Sequence, residues 1–253
     1  MATDLYASVV LSLGPTGYWR LNETSGTTAY DSSGNGYNGT INNGVTLNQA
    51  GFLYDNTPVM GFSPPSSGQP GITIPSLPAF TGPWSITAWV NFTYPVATTG
   101  DYEEIFNNNQ FFLRRSTGSE GGQFSIFVKL SDGSVEPRAQ GGPVAIPNFW
   151  WFLAATWDTS TLSLYVQGNL VATSSRSGTL TSTTETPTIG CGEQQTITAN
   201  PLTGKIAEVS VWSGKVLTAT QIASLYGTGC SSPGTVRMIG PNTTILPPIY
   251  VQV

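Results

Sequence analysis

The sequence predicts an all-β sandwich of two antiparallel sheets, with a short helix near each end and an extended C-terminal arm. Three observations carry this. Short runs of β-branched and aromatic residues recur at hairpin spacing between Tyr18 and Ser213, separated by Gly-, Asn- and Asp-rich turns. Hydrophobic residues make up 39% of the 253-residue chain, with seven Trp, ten Tyr and eleven Phe, enough for a sizeable core. The strand-like segments at 18–21 (Tyr-Trp-Arg-Leu) and 204–212 (Gly-Lys-Ile-Ala-Glu-Val-Ser-Val-Trp) read as first and last strands that must meet to close one sandwich.

In chain order, residues 3–13 place Tyr6, Val9, Val10 and Leu13 at three- and four-residue spacing, a helical face with Thr3 as cap. Gly14-Pro15 stops that helix. After the strand 18–21, the run Asp31-Ser32-Ser33-Gly34-Asn35-Gly36 cannot sustain a ladder and is a compact loop. Strands are expected at 71–74, 84–93, 104–107, 111–115, 123–130, 149–157, 162–167, 170–174, 188–190 and 206–213. Three reversals have a mechanism. Asp132-Gly133 and Gly168-Asn169 are tight two-residue turns. Asp158 can accept backbone N–H groups in an Asx turn. A second helix spans 218–226, where Thr218 and Gln221 form a capping box, Ile222, Leu225 and Tyr226 an apolar face, and Gly227 the end.

Side chains alternate along strands. Trp89, Trp157 and Trp212 are therefore expected in the inter-sheet core, and Arg114 and Arg115 on opposite faces. The run Phe149-Trp150-Trp151-Phe152 must turn at least one ring outward, under a loop or onto a contact surface.

Only 9% of residues are charged, against roughly 25% in an average soluble domain. The surface is built from Ser, Thr, Asn, Gln and Gly, as in extracellular adhesins and virion proteins. A net charge of −5 with nine scattered basic residues excludes a nucleic-acid-binding role. No apolar run approaches the ~18–20 residues of a membrane-spanning helix. The N-terminus lacks a basic region before an apolar run, so the expectation is a protein made without an export signal. Cys191 and Cys230 leave a disulfide open, while two unbridged buried thiols suit a reducing compartment better.

With no histidine, Ser-His-Asp and Cys-His catalysis and His-based zinc sites are excluded. No strand reads Glu-x-Asp-x-x-Glu or similar, so no strand face is lined by alternating carboxylates. The densest acidic cluster, Asp101, Glu103 and Glu104, reads as a solvated loop. The expectation is a non-enzymatic protein.

These residues carry a resemblance. The lead-in to 18–23 (Tyr-Trp-Arg-Leu-Asn-Glu), the loop 31–40, and the segments 84–90 (Trp-Ser-Ile-Thr-Ala-Trp-Val), 150–158, 162–168 and 204–212 resemble, in that order, the laminin-G-like, concanavalin A-like jelly rolls of bacterial surface and phage virion proteins. The resemblance spans residues 5–228 and implies a jelly-roll domain over 1–230, leaving 231–253 as an arm. Some members of the family hold calcium near the N-terminal loop and the penultimate strand. The resemblance implies Asp31 and Glu208 as the calcium candidates here, with loop carbonyls as further ligands.

Two functions are expected from this reading. One is a virion structural protein, a phage capsid decoration or fibre-type subunit that forms homo-oligomers such as trimers and contacts other virion proteins. Its arm, with apolar Val236, Met238, Ile245, Ile249, Val251 and Val253, would add to a neighbour's sheet edge. The alternative is an extracellular or cell-surface module that binds carbohydrate through loop aromatics such as Tyr37, Tyr54, Tyr94 and Tyr102.

Overall fold

The computed structural model describes residues 4–52, 57–65, 70–95, 102–133, 138–192 and 200–230. It opens with helix α1 (Leu5–Ser12), followed by β1 (Gly17–Trp19), β2 (Thr28–Ala29), β3 (Gly39–Ile41), β4 (Val45–Gln49), β5 (Val59–Phe62), β6 (Ile72–Thr73) and β7 (Trp84–Phe92). Next come β8 (Glu103–Asn107), β9 (Phe111–Arg115), β10 (Phe124–Val128), β11 (Arg138–Gly141), β12 (Trp150–Trp157), β13 (Thr161–Val166) and β14 (Asn169–Ser175). The short β15 (Thr188–Ile189), the long β16 (Gly204–Ser213) and helix α2 (Ala219–Cys230) complete the order.

The first sheet runs β14-β13-β12-β7-β16-β5-β4, with β1 also on β16, and the second runs β11-β10-β9-β8-β15-β6-β3-β2. Among the described residues every ladder is antiparallel, and the predicted jelly-roll sandwich is the observed architecture. The two end segments meet as expected, Tyr18 opposite Ser210 and Trp19 opposite Val209.

Alternation in β7 sets the layers. Trp84, Ile86, Ala88, Val90 and Phe92 enter the inter-sheet core, together with Trp19, Trp151, Trp157 and Phe111. Trp89, in the same strand, points the other way. It joins Trp212, Phe152 and Tyr165 in a second apolar layer with Tyr6 and Val10 of α1 and Ile222 and Leu225 of α2. This corrects one expectation: of Trp89, Trp157 and Trp212, only Trp157 lies between the sheets. The two helices give the outer face of the first sheet an apolar cover, so large rings are buried on both of its faces. Each such ring contributes roughly 1.5–3 kcal/mol when fully buried. The run at 149–152 follows the same rule. Trp151 points inward, while Trp150 turns outward and is stacked by Phe52 at 4.1 Å.

Local chemistry accounts for the element ends, with three departures from expectation. Asp4 caps α1, accepting from the Ala7 amide at 3.0 Å, while Thr3 lies outside the described residues. The capping box of α2 forms in both directions: Gln221 N–H donates to Thr218 Oγ1 at 3.2 Å and Thr218 N–H to Gln221 Oε1 at 2.9 Å. That helix does not stop at Gly227 but runs to Cys230. Its last turn needs Gly229, where an added Cβ would lie 2.4 Å from the Trp89 ring. The β13–β14 reversal is shifted by one residue. Gln167 (φ 51°) and Gly168 (φ 78°) supply the two positive φ angles of a tight hairpin turn. Asp158 forms its Asx turn, accepting from the amides of Ser160 and Thr161.

Strands β2, β3, β4, β5 and β11 had no counterpart among the expected elements. They are short, and three of the five contain glycine. Cys191 is buried and Cys230 exposed, and they share no disulfide. Burial pushes the Cys191 thiol up to about 12, and its Sγ donates to the Pro70 carbonyl at 3.3 Å. The arm expected at 231–253 lies outside the described residues. Among those described, no helix is long and apolar enough to cross a membrane.

Candidate functional site

Both α-helices pack on the first sheet, so the outer face of the second carries no α-helical cover among the described residues. Its chemistry follows from register. In β9 and β10 the side chains of Phe111, Leu113, Phe124, Ile126 and Val128 point into the core. The intervening positions must face outward, and they align across four strands in two rows. One row is Asn107–Phe112–Phe127–Arg138 and the other Glu104–Arg114–Ser125–Gln140, each residue directly opposite the next.

The first row is an aromatic platform. Phe112 and Phe127 stack with centroids 4.5 Å apart at 17°. Lys129 lies 4.7 Å above the Phe112 ring and donates to Asn109 Oδ1 at 2.6 Å.

The second row is ionic and largely buried. Arg114 is 7% exposed and Glu104 3%. The Arg114 guanidinium carbon lies 3.4 Å from the Tyr102 ring centroid and 4.5 Å from that of Phe127, so it sits against two aromatic rings. Its hydrogen bond is a long one, Nε to Ser125 Oγ at 3.4 Å. Glu104 instead accepts from Asn107 Nδ2 at 2.6 Å and Asn200 Nδ2 at 3.2 Å. Burial lowers the Arg114 pKa, partly offset by the Glu104 charge, yet a guanidinium remains a cation throughout the working pH range.

At the rim, Tyr102 Oη donates to Glu120 Oε1 at 2.6 Å, and Arg138 donates to Glu120 and Gln140. The Arg138 hydrogen bond holds the Glu120 carboxyl below its ordinary range. Among the described residues, three cations and two carboxylates thus share one face of a chain that is only 9% charged. Desolvating charge is costly unless it is compensated. Phe112 and Ser125 are buried beneath this face, and the part-exposed groups are the Phe127 ring, Lys129, Arg138 and Gln140, an apolar edge beside hydrogen-bonding groups that suits a polyhydroxylated ligand.

Sequence reasoning missed most of this face. Glu103 and Glu104, read as part of a solvated loop, start β8 and pair across the hairpin with Arg115 and Arg114. The reason is complementary charge in register: two adjacent acids and two adjacent arginines flank the Asn107–Gln110 reversal. That spacing was the available signal. Arg115 does face away from Arg114, pairing with Glu103 and lying 4.2 Å over the Phe92 ring. Of the loop aromatics, Tyr102 belongs to the site, Tyr94 is exposed and Tyr37 packs against the core. Tyr54 and Asp101 lie outside the described residues.

The two calcium candidates both meet Tyr18, from different sides. Asp31 accepts the Tyr18 and Ser33 amides on Oδ1 (3.0 and 2.9 Å) and the Tyr37 amide and Ser33 hydroxyl on Oδ2 (2.9 and 2.8 Å). Glu208 is 1% exposed at a bulge in β16 (φ 56°), where its carboxylate meets the Tyr18 hydroxyl and, at 3.4 Å, Arg20. Arg20 also pairs with Asp4, the α1 cap. Burial pushes the Glu208 carboxyl up to about 7. These oxygens face N–H and O–H donors and a guanidinium, an environment of the wrong sign for a cation, so the pair does not fit a calcium ion. Among the described residues no group of three or more His, Cys, Asp or Glu is placed to hold a metal.

Comparison with known proteins bears on the fold. No curated protein matches the sequence. Domain 4 of AbnA, a GH43 extracellular arabinanase from Geobacillus stearothermophilus solved with arabinotriose, is 18% identical with a TM-score of 0.55, covering 84% of this chain and 98% of that one. The botulinum neurotoxin serotype D binding domain has a TM-score of 0.62 at 15% identity, covering 87% of this chain. Trypanosoma rangeli sialidase has a TM-score of 0.60 at 12% identity, covering 85% of this chain. The chain spans 52% of the neurotoxin domain and 33% of the sialidase. The family model described as the concanavalin A-like lectin/glucanases superfamily, of laminin G type, matches residues 66–223, more than half the sequence. With that match and the jelly-roll topology, the chain belongs to the concanavalin A-like lectin/glucanases superfamily.

Proposed function

We propose that this protein is a non-enzymatic carbohydrate-binding module whose ligand lies across the outer face of the second sheet. The observation that carries the reading is the pair of outward rows, where the part-exposed Phe127 ring, backed by the buried Phe112, lies beside Arg114, Arg138 and Gln140. Sugar rings pack their C–H faces on such aromatic surface while hydroxyls take the amides and guanidinium groups. Similar folds in the arabinanase domain solved with arabinotriose and in a neurotoxin binding domain solved with SialylT support the ligand class. The carboxyls argue against hydrolysis. Glu120 is held below its ordinary pKa, wrong for a general acid, and Glu208 is sealed in the helix-covered layer. The test is a glycan array with the full chain and Phe127→Ala. Wild type should bind a defined glycan class and the variant should lose it. Silence of the wild type across bacterial and host glycans, or an unchanged array for the variant, overturns the reading.

The finer placement is on a virion, as a decoration or fibre-type subunit that self-associates. Its support is the weakly charged surface and the apolar alternation within 231–253. Such a segment suits addition to a neighbour's sheet edge. Light scattering on the full chain should show an oligomer that Ile249→Asp with Val251→Asp dissociates. A monomeric wild type contradicts this placement.

A further inference from the structure

We infer that Arg114 is an oxyanion-reading group, and that the glycan bound by this face carries an acidic sugar: a carboxylate, as in uronic or sialic acids, or a sulfate ester. The inference rests on the carbohydrate reading of the same face and adds the chemistry of the ligand.

The guanidinium of Arg114 is built into the site rather than left on its surface. Tyr102 and Phe127 hold its planar group, and Ser125 tethers Nε. The carboxylate opposite, Glu104, is engaged by Asn107 and Asn200. Among the described residues no carboxylate forms an ion pair with Arg114, whereas Arg20, Arg115, Arg138 and Arg176 each have one. The terminal N–H groups of Arg114 have no acceptor among the described residues, and none of its nitrogens is among the fully buried unsatisfied atoms, so these donors reach the surface and can take a ligand's oxygens. Its fork geometry matches a carboxylate or sulfate oxygen pair, and holding it against aromatic rings fixes the fork before the ligand arrives. Lys129, on a neighbouring outward position, adds positive potential, while the Arg138 charge is offset by its ion pair with Glu120. The protein as a whole carries −5, so attraction of an anionic glycan must come from this local grouping and not from net charge.

Glu104 and Glu120 serve selectivity. Each would repel a second anion nearby, so the face accepts one oxyanion at one position instead of a polyanion along its length.

The experiment compares acidic oligosaccharides with their carboxyl-reduced counterparts, and sulfated with desulfated ones, by titration calorimetry on the full-length protein. Wild type should bind one acidic form at least tenfold more tightly than its neutral counterpart, with affinity falling as salt rises. Arg114→Lys should lose at least tenfold toward the acidic sugar, because an ammonium cannot make the bidentate contact. Arg114→Gln should bind acidic and neutral forms alike. The wild-type comparison stands even where a variant fails to fold. Equal wild-type affinity for acidic and neutral sugars, with binding still lost in Phe127→Ala, overturns the oxyanion inference and leaves the carbohydrate reading standing. Absence of any glycan binding overturns both.

Discussion

The Arg114 guanidinium carbon lies 3.4 Å from the centroid of the Tyr102 ring, and the Tyr102 hydroxyl in turn donates to Glu120 at 2.6 Å. One residue thus links the buried ionic row to the rim of the same face. A double-mutant cycle on Arg114→Gln and Tyr102→Leu should give a coupling of about 1–2 kcal/mol in urea denaturation, as for a largely desolvated cation–π pair. Tyr102→Phe should retain most of that coupling, since it removes only the link to Glu120. Additive single effects contradict the stacked arrangement.

The Glu208 carboxyl makes stability depend on pH in an uncommon direction. Burial raises its folded pKa from 4.5 to about 7, so the folded state holds the proton more tightly than the unfolded chain. Its contribution is complete at low pH and declines as pH rises through about 7. The loss amounts to about 3 kcal/mol. Asp4, Tyr6, Tyr18 and Arg20 surround the group and enter both the wild type and Glu208→Gln. The difference in unfolding free energy between the two proteins should therefore change across pH 5 to 8. A constant difference over that range refutes the assignment.

Asp31 organises its own loop through four accepted hydrogen bonds. Asp31→Ala should cost about 3 kcal/mol, because three backbone amides and a hydroxyl lose a charged acceptor. Added calcium or a chelator should leave the wild-type melting temperature unchanged. A chelator-induced drop of several degrees would show that a cation displaces those donors.

Gly229 lies against the Trp89 ring at the end of α2. Gly229→Ala should destabilise by about 1–3 kcal/mol despite the better helix propensity of alanine, because the new methyl group meets a packed aromatic ring. Chemical denaturation checks this, and a stabilised variant contradicts the packing.

Much of the fold was legible because its signals are local. Alternation marked β7, β12 and β16, the Thr218–Gln221 box marked α2, and Asp158 marked its turn. The direction of Trp89 was not legible, since alternation says that faces differ but not which one the helices cover. Strand β11, Arg-Ala-Gln-Gly, was also hidden. It contributes only Ala139 to the core and is held by pairing with β10, a contact between segments far apart in character. The candidate site was missed for a related reason. Glu104, Arg114 and Gln140 are unremarkable one by one, and only the register of four strands sets them in a row.

The most direct test of the carbohydrate-binding face is amide chemical-shift mapping of the full chain with a glycan selected on the array. Shifts concentrated at Phe112, Arg114, Ser125, Phe127, Arg138 and Gln140 are the predicted result. Shifts confined to the opposite edge of the sandwich, around Thr27, Asn42 and Leu47, with this face unchanged, would contradict it.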